Sequence, residues 1–444
     1  MTTQHYDLCL KNGQVMIDGI LISTNVYVTE GKIMSMTTKL HDSTREIDCK
    51  NILVLPGVID SQVHFREPGL EGKENLESGM LAAVAGGVTS IFEMPNTNPL
   101  TITPETINDK LNRAKRAAWS DYAFYLGGTM RTSSNLSEWE KLLGVCGIKI
   151  FMGASTGDLM TATDEEVEAV VSNGQRVIAV HAEDQMIMME NFKTILGDSD
   201  DVSMHCKWRS PESCLSATKR VVNLARKYNR RVHILHITTQ QEMEFLAQNK
   251  DVASVELLAN HLTLHAPECY DSLGTLAQQN PPIREKNHQD ALWKALNDDV
   301  VDIIASDHAP HTVEEKSQTY PKSPSGTPGV QTLVPIMLNH VNNGKLSLSK
   351  LVSLWSHGPE RIHRIHNKGR IQVGYDADFT LVDMNKEVTI SNSQQKSKSK
   401  WTPFDGMKVK GWPTHTIIRG HCVMIDDEIL GEPIGEIVQF KETM

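Results

Sequence analysis

Residues 57–70 read GVIDSQVHFREPGL, an apolar run that opens directly onto glutamine, histidine and arginine. A continuous apolar run of roughly four to eight residues is how a strand buried on both faces reads. Side chains two apart on a strand point to the same face, so Gln62, His64 and Arg66 share one outlook. That spacing suits a pair of metal ligands, of which only one is a histidine.

Including the start of this stretch, LVLPGVID (53–60), the pattern occurs eight times. The others are VTSIFEM (88–94), YAFYLGG (122–128), GIKIFM (147–152), VIAVHAED (177–184), VHILHIT (232–238), SVELLAN (254–260) and VDIIASDHAP (301–310). Segments of helical period separate them. ENLESGMLAAVAGG (74–87) ends in glycines, TPETINDKLNRAKRAAW (103–119) opens with Thr-Pro, and Thr163 with Glu166 makes a capping-box pattern. Eight alternating βα units predict an α/β protein built on a closed (β/α)8 TIM-type barrel.

Outside the barrel, short alternating runs broken at Asn-Gly and Glu-Gly fill residues 1–55, and the same texture returns in ADFTLVDM (377–384), HTIIRGHCVMI (415–425) and GEIVQF (435–440). The two ends therefore pair in a small β-sandwich domain, formed from residues 1–55 and 366–444 around a barrel of residues 56–365. The segment SNSQQKSKSK (391–400) is polar and aperiodic and reads as a mobile surface loop without chemistry. The methionine-rich MIMME (186–190) reads as core filling, and Trp208-Arg209 as a plain contact.

The 444 residues carry 44 Lys+Arg against 55 Asp+Glu, a formal charge of -11. This balance argues against a nucleic-acid partner and against an anionic membrane, leaving a small-molecule substrate. Seven scattered cysteines without a C-x-x-C pair suggest reduced thiols, and no apolar run approaches the ~18 residues of a membrane span. A cytoplasmic protein is expected.

In a barrel of this type the chemistry lies at the C-terminal strand ends, and those ends here carry His64, Asn96, Lys149, His181, His236 and Asp307. A single histidine is usually a hydrogen-bonded structural residue. Three of them with an aspartate, each ending a separate strand, form an N/O donor set suited to Zn²⁺. Lys149 is costly in a buried strand unless its amine is neutral, and a neutral amine reacts with CO₂ to give a carbamate able to bridge two metals. Asp307 can act both as a ligand and as a proton shuttle. Arg66 offers a planar fork to a carboxylate, with a salt bridge to Glu67 or Glu71 as its structural alternative. His308 suits a hydrogen-bonding role, His311 could reach the substrate, and Asn96 beside Pro95 is equally a turn residue.

The stretch DSQVHFREPGLEGKENLESGMLAAVAGGVTSIFEMPNTNP (60–99) resembles the opening catalytic region of the dihydroorotase family in the amidohydrolase superfamily. The likeness continues through GIKIFMGASTGDLM, VHAED, HILHIT, NPPIRE, SDHAPHTVEEK, SGTPGVQT, GRIQVGYDADFTLVDM and WTPFDGMKVKG, covering about residues 5–425. The resemblance implies the reversible cyclisation of N-carbamoyl-L-aspartate to L-dihydroorotate by metal-activated hydroxide. It implies that His64 and Asp307 hold a buried Zn²⁺, that His181 and His236 hold a second, and that carbamylated Lys149 bridges them. Arg66 and Asn96 would bind the substrate carboxylate, helped by His311 and the backbone at Gly329, while Asn280 would contact the ring and Thr156, in a mobile active-site loop, would contact the substrate. Relatives usually carry histidine where this chain has Gln62, which weakens the buried metal position. Other readings are a hydantoinase, dihydropyrimidinase or allantoinase, and a non-catalytic partner of aspartate transcarbamoylase. A homodimer is the expected assembly.

Overall fold

A computed structural model describes residues 5–154 and 159–441. Five strands open the chain: β1 (Tyr6–Ile17), β2 (Ile20–Thr29), β3 (Lys32–Thr37), β4 (Ser43–Asp48) and β5 (Leu53–Pro56). Eight parallel strands follow: β6 (Val58–Val63), β7 (Val88–Glu93), β8 (Asp121–Gly127), β9 (Val145–Phe151), β10 (Ile178–His181), β11 (Val232–Ile234), β12 (Ala253–Leu258) and β13 (Ile303–Ala305). They pair in sequence from β6 to β13, with helices between them. Closure between β13 and β6 is made just beyond their ends, where His64 N–H donates to His308 O at 2.7 Å, and through Asp60, whose carboxylate accepts from Ser306 N–H at 3.1 Å. The eight runs predicted from sequence are these strands, and every side chain of β6 to β10 is buried.

The first run divides where a continuous strand was expected. Leu53–Pro56 leaves the barrel and pairs with β1 and with β14 (Phe379–Thr389), whereas the barrel begins at Val58. Gly57 lies at the crossing, where a Cβ would stand 2.4 Å from Thr89 Oγ1 and 2.9 Å from Asp378 Cβ. Only a residue without a side chain lets the two sheets approach this closely. The helices start as their capping signals predict, at Pro104 after Thr103 and at Asp164 after Thr163.

β14, β15 (Lys408–Ile418), β16 (His421–Ile425) and β17 (Glu428–Ile429) join β1 to β5 in one nine-stranded sheet drawn from both chain ends. Lys368 anchors that sheet to the barrel: its ammonium, almost fully buried, is 2.5 Å from Asp121 at the start of β8 and 2.7 Å from Asp378.

Residues 391–400 depart from the expected solvated loop. Ser397 and Ser399 are buried, Ser397 donates its hydroxyl to Glu74, and the backbone of Lys398 also reaches Glu74. Short polar side chains here satisfy a buried carboxylate, which composition alone does not reveal. In MIMME only Met188 is buried, while Met186 and Met189 lie on the surface.

Candidate active site

The polar residues at the strand ends converge on one small cavity. Gln62, His64, Lys149, His181, His236 and Asp307 line it, together with Asn280 and the backbone region at Ser325 and Gly326. Its volume is about 20 Å³, the scale of an ion or a water molecule. Three residues at or beside it have left-handed backbones: Arg66 (φ 65°), His236 (φ 39°) and Asp307 (φ 47°). Such conformations cost of order 1–3 kcal/mol each in non-glycine residues and persist where the surroundings fix them.

One side of the cavity is formed by two imidazoles. His181 Nε2 is 2.8 Å from Glu183 Oε2, and because a carboxylate only accepts, that nitrogen carries the proton and leaves a lone pair on Nδ1. His181 Nδ1 faces His236 Nε2 at 3.1 Å. Two nitrogens bound tetrahedrally at zinc distances stand about 3.3 Å apart, so this pair is already spaced as ligands of one ion. Glu183 is held in turn by Arg209, whose Nε donates to Oε1 at 3.0 Å while Nη2 reaches Oε2. Burial alone would raise the Glu183 carboxyl, but Arg209 and His181 keep it below the usual carboxylate range. Sequence reading missed Glu183 and treated Arg209 as a plain contact; the available signal was Glu183 two positions after His181, on the same strand exit.

The opposite side is formed by His64, Asp307 and Gln62. Asn96 Oδ1 is 2.8 Å from His64 Nδ1, so Nδ1 donates and Nε2 presents a lone pair, 3.2 Å from Asp307 Oδ1. Burial lowers the His64 pKa, against the opposing pull of Asp307. A lone pair and a carboxylate oxygen facing each other are brought together by a cation or a shared proton. Gln62 Nε2 donates to the same Asp307 oxygen at 3.0 Å, and its buried Oε1 has no partner among the described residues.

Lys149 stands between the two sides. Its ammonium is fully buried, has no hydrogen-bond partner among the described residues, and lies 4.4 Å from the Phe151 ring centroid. Burial brings its pKa down to about 7, so a substantial fraction of the amine is neutral near physiological pH. His236 Nδ1 is likewise buried without a partner. Among the described residues no three His, Cys, Asp or Glu side chains converge as a metal cage. A third donor, this one anionic, would come from a modified Lys149, and the unpartnered buried amine is placed to supply it.

Arg66 lies beside the cavity and forms no salt bridge among the described residues. Its Nε donates to Pro310 O at 3.3 Å, and Nη2 is 3.4 Å from His311 Nε2. Glu67 and Glu71 pair instead with Arg113, which removes the structural alternative read from the sequence. His311 is buried between Arg66 and Lys73, and desolvation plus those two cations hold it well below the ordinary histidine pKa. Asn280 Oδ1 is 2.9 Å from His205 Nε2 at the cavity wall. Gly329 does not line the cavity; its N–H donates to His308 Nδ1 at 3.1 Å. His308 is hydrogen-bonded throughout, with Glu74 at 3.3 Å on its other nitrogen. Thr156 lies outside the described residues.

The amidohydrolase family model matches residues 53–423. A dihydroorotase from Pyrococcus abyssi is 36% identical over 428 residues, 96% of each chain, and one from Pyrococcus furiosus is 35% identical over 435 residues, 97% of this chain and 95% of that one. Among solved structures, an L-hydantoinase (dihydropyrimidinase) from Arthrobacter aurescens superposes with a TM-score of 0.93 at 28% identity, covering 98% of this chain and 99% of that one. A dihydropyrimidinase from Brevibacillus agri gives a TM-score of 0.89 at 26% identity, covering 96% and 97%.

Proposed function

The chain belongs to the amidohydrolase family, and from that premise we propose that it is a metal-dependent dihydroorotase, interconverting N-carbamoyl-L-aspartate and L-dihydroorotate in pyrimidine biosynthesis. The observation that carries this reading is Arg66, a buried guanidinium with no ion pair among the described residues, beside His311 and next to the cavity. Burial lowers its pKa only to about 10, so it stays cationic at neutral pH. A buried, unneutralised fork is a receptor for a planar carboxylate. Dihydroorotate carries one on its ring; the ring substrates of hydantoinases and dihydropyrimidinases do not.

His181 and His236, with carbamylated Lys149, hold zinc in this reading, and zinc there would polarise the ring carbonyl and make hydroxide available near neutral pH. The chain's own groups do the rest. Arg66 and His311 hold the carboxylate, Asn280 meets the ring, and Asn96 fixes the tautomer of His64. Asp307 takes the proton of the attacking water and delivers it to the ring nitrogen as the C–N bond breaks, and ring closure reverses these transfers. The setting is a cytoplasmic enzyme, working as a homodimer and able to associate with the aspartate transcarbamoylase that supplies its substrate. All seven cysteines are free, and no helix among the described residues is long and apolar enough to cross a membrane.

Replacing Arg66 by alanine tests the reading. Loss of a charge-assisted contact worth about 1.5–3 kcal/mol should raise the apparent KM for N-carbamoyl-L-aspartate roughly ten- to hundredfold. An unchanged KM would remove the carboxylate argument and favour a hydantoinase-like substrate.

A further inference from the structure

The two sides of the cavity do not suit a metal equally, and the difference lies in Gln62. We infer that this chain holds one tightly bound zinc ion, between His181 and His236, and that the Gln62 amide takes the place of a second ion beside Asp307. This inference rests on the metal-dependent reading proposed above.

On the first side, two neutral imidazoles face each other at 3.1 Å, and the ring of one is fixed from behind by Glu183 and Arg209. That is a ligand pair of which one ring, His181, already has its supporting contacts in place. On the second side there is one imidazole, His64, and one carboxylate, Asp307. The carboxylate oxygen nearest His64 already accepts a hydrogen bond from Gln62 Nε2 at 3.0 Å.

The amide thus does part of what a cation would do there, by placing a positive N–H edge against the carboxylate. For Gln62 to become a ligand, it would have to present its oxygen to the ion. With Nε2 kept on Asp307, the oxygen available is a neutral, hard donor that binds zinc less well than imidazole. If the amide turned over instead, Asp307 would lose its donor and face a second oxygen. Either way the second ion meets a weaker set than the first.

Metal content decides the matter without reference to turnover. The full-length protein is loaded with excess ZnCl₂ in bicarbonate buffer, dialysed exhaustively against metal-free buffer, and its zinc-to-chain ratio is measured by plasma mass spectrometry. The ratio expected is one for the wild type, two for Gln62→His and none for His236→Ala. A wild-type ratio of two would overturn the inference while leaving the metal-dependent reading intact, and a ratio of zero would overturn both. If Gln62→His does not fold, the wild-type ratio still decides. Retention of the single ion by His236→Ala would place it on the wrong side and overturn the assignment.

Discussion

Asp307 is held with a positive φ of 47°, its carboxylate shared between the Gln62 amide and His64 Nε2. A group fixed this firmly at the rim of the cavity can receive and release a proton without searching for its orientation. Replacing it by asparagine preserves shape and the contact from Gln62 but removes the base. kcat should fall roughly 10²- to 10⁴-fold in steady-state assays, with the zinc-to-chain ratio unchanged because the tight ion lies on the other side. Retention of more than about a tenth of the wild-type kcat would exclude the proton-transfer role. At this scale much of the site was legible: each strand-end residue named from the sequence, apart from Arg66 and Asn96, lines the cavity, and those two stand directly beside it. Gly329 was not legible as a structural residue, because a backbone N–H that serves His308 leaves no trace in composition.

The strands were the easiest elements to read, since burial on both faces makes each one a continuous apolar run. The same uniformity concealed the break at Gly57, where one apolar run serves two sheets. The strap at residues 391–400 was hidden for the opposite reason: its serines look solvated, yet they close over Glu74 behind His308. The exit of β10 is the element on which the first metal side depends, because Glu183 follows His181 by two residues and fixes its ring. Glu183→Gln keeps the shape of the side chain, weakens the charge-assisted hold on His181 and leaves Arg209 without its counter-ion. Zinc affinity, measured by competition with a chromogenic chelator, should fall about 10- to 100-fold. An unchanged affinity would show that the ring is positioned by packing alone.

Across the whole molecule, both chain ends fold back into one sheet, and Lys368 ties that sheet to β8 through Asp121 and Asp378. The barrel is thereby braced at the end of β8 remote from the cavity, and rigid strands can present strained residues at the other. Against a net charge of -11, the buried Arg66, with no ion pair among the described residues, is a receptor for an anionic substrate. Architecture alone does not choose among ring substrates, since hydantoinases share it closely. The choice rests on the carboxylate, and a direct test compares kcat/KM for hydrolysis of L-dihydroorotate and of dihydrouracil, which lacks it, on the zinc-loaded protein. The account predicts a preference of roughly a hundredfold or more for dihydroorotate, because a buried guanidinium left unpaired penalises the smaller ring. Equal turnover of the two, or a preference for dihydrouracil, would contradict it.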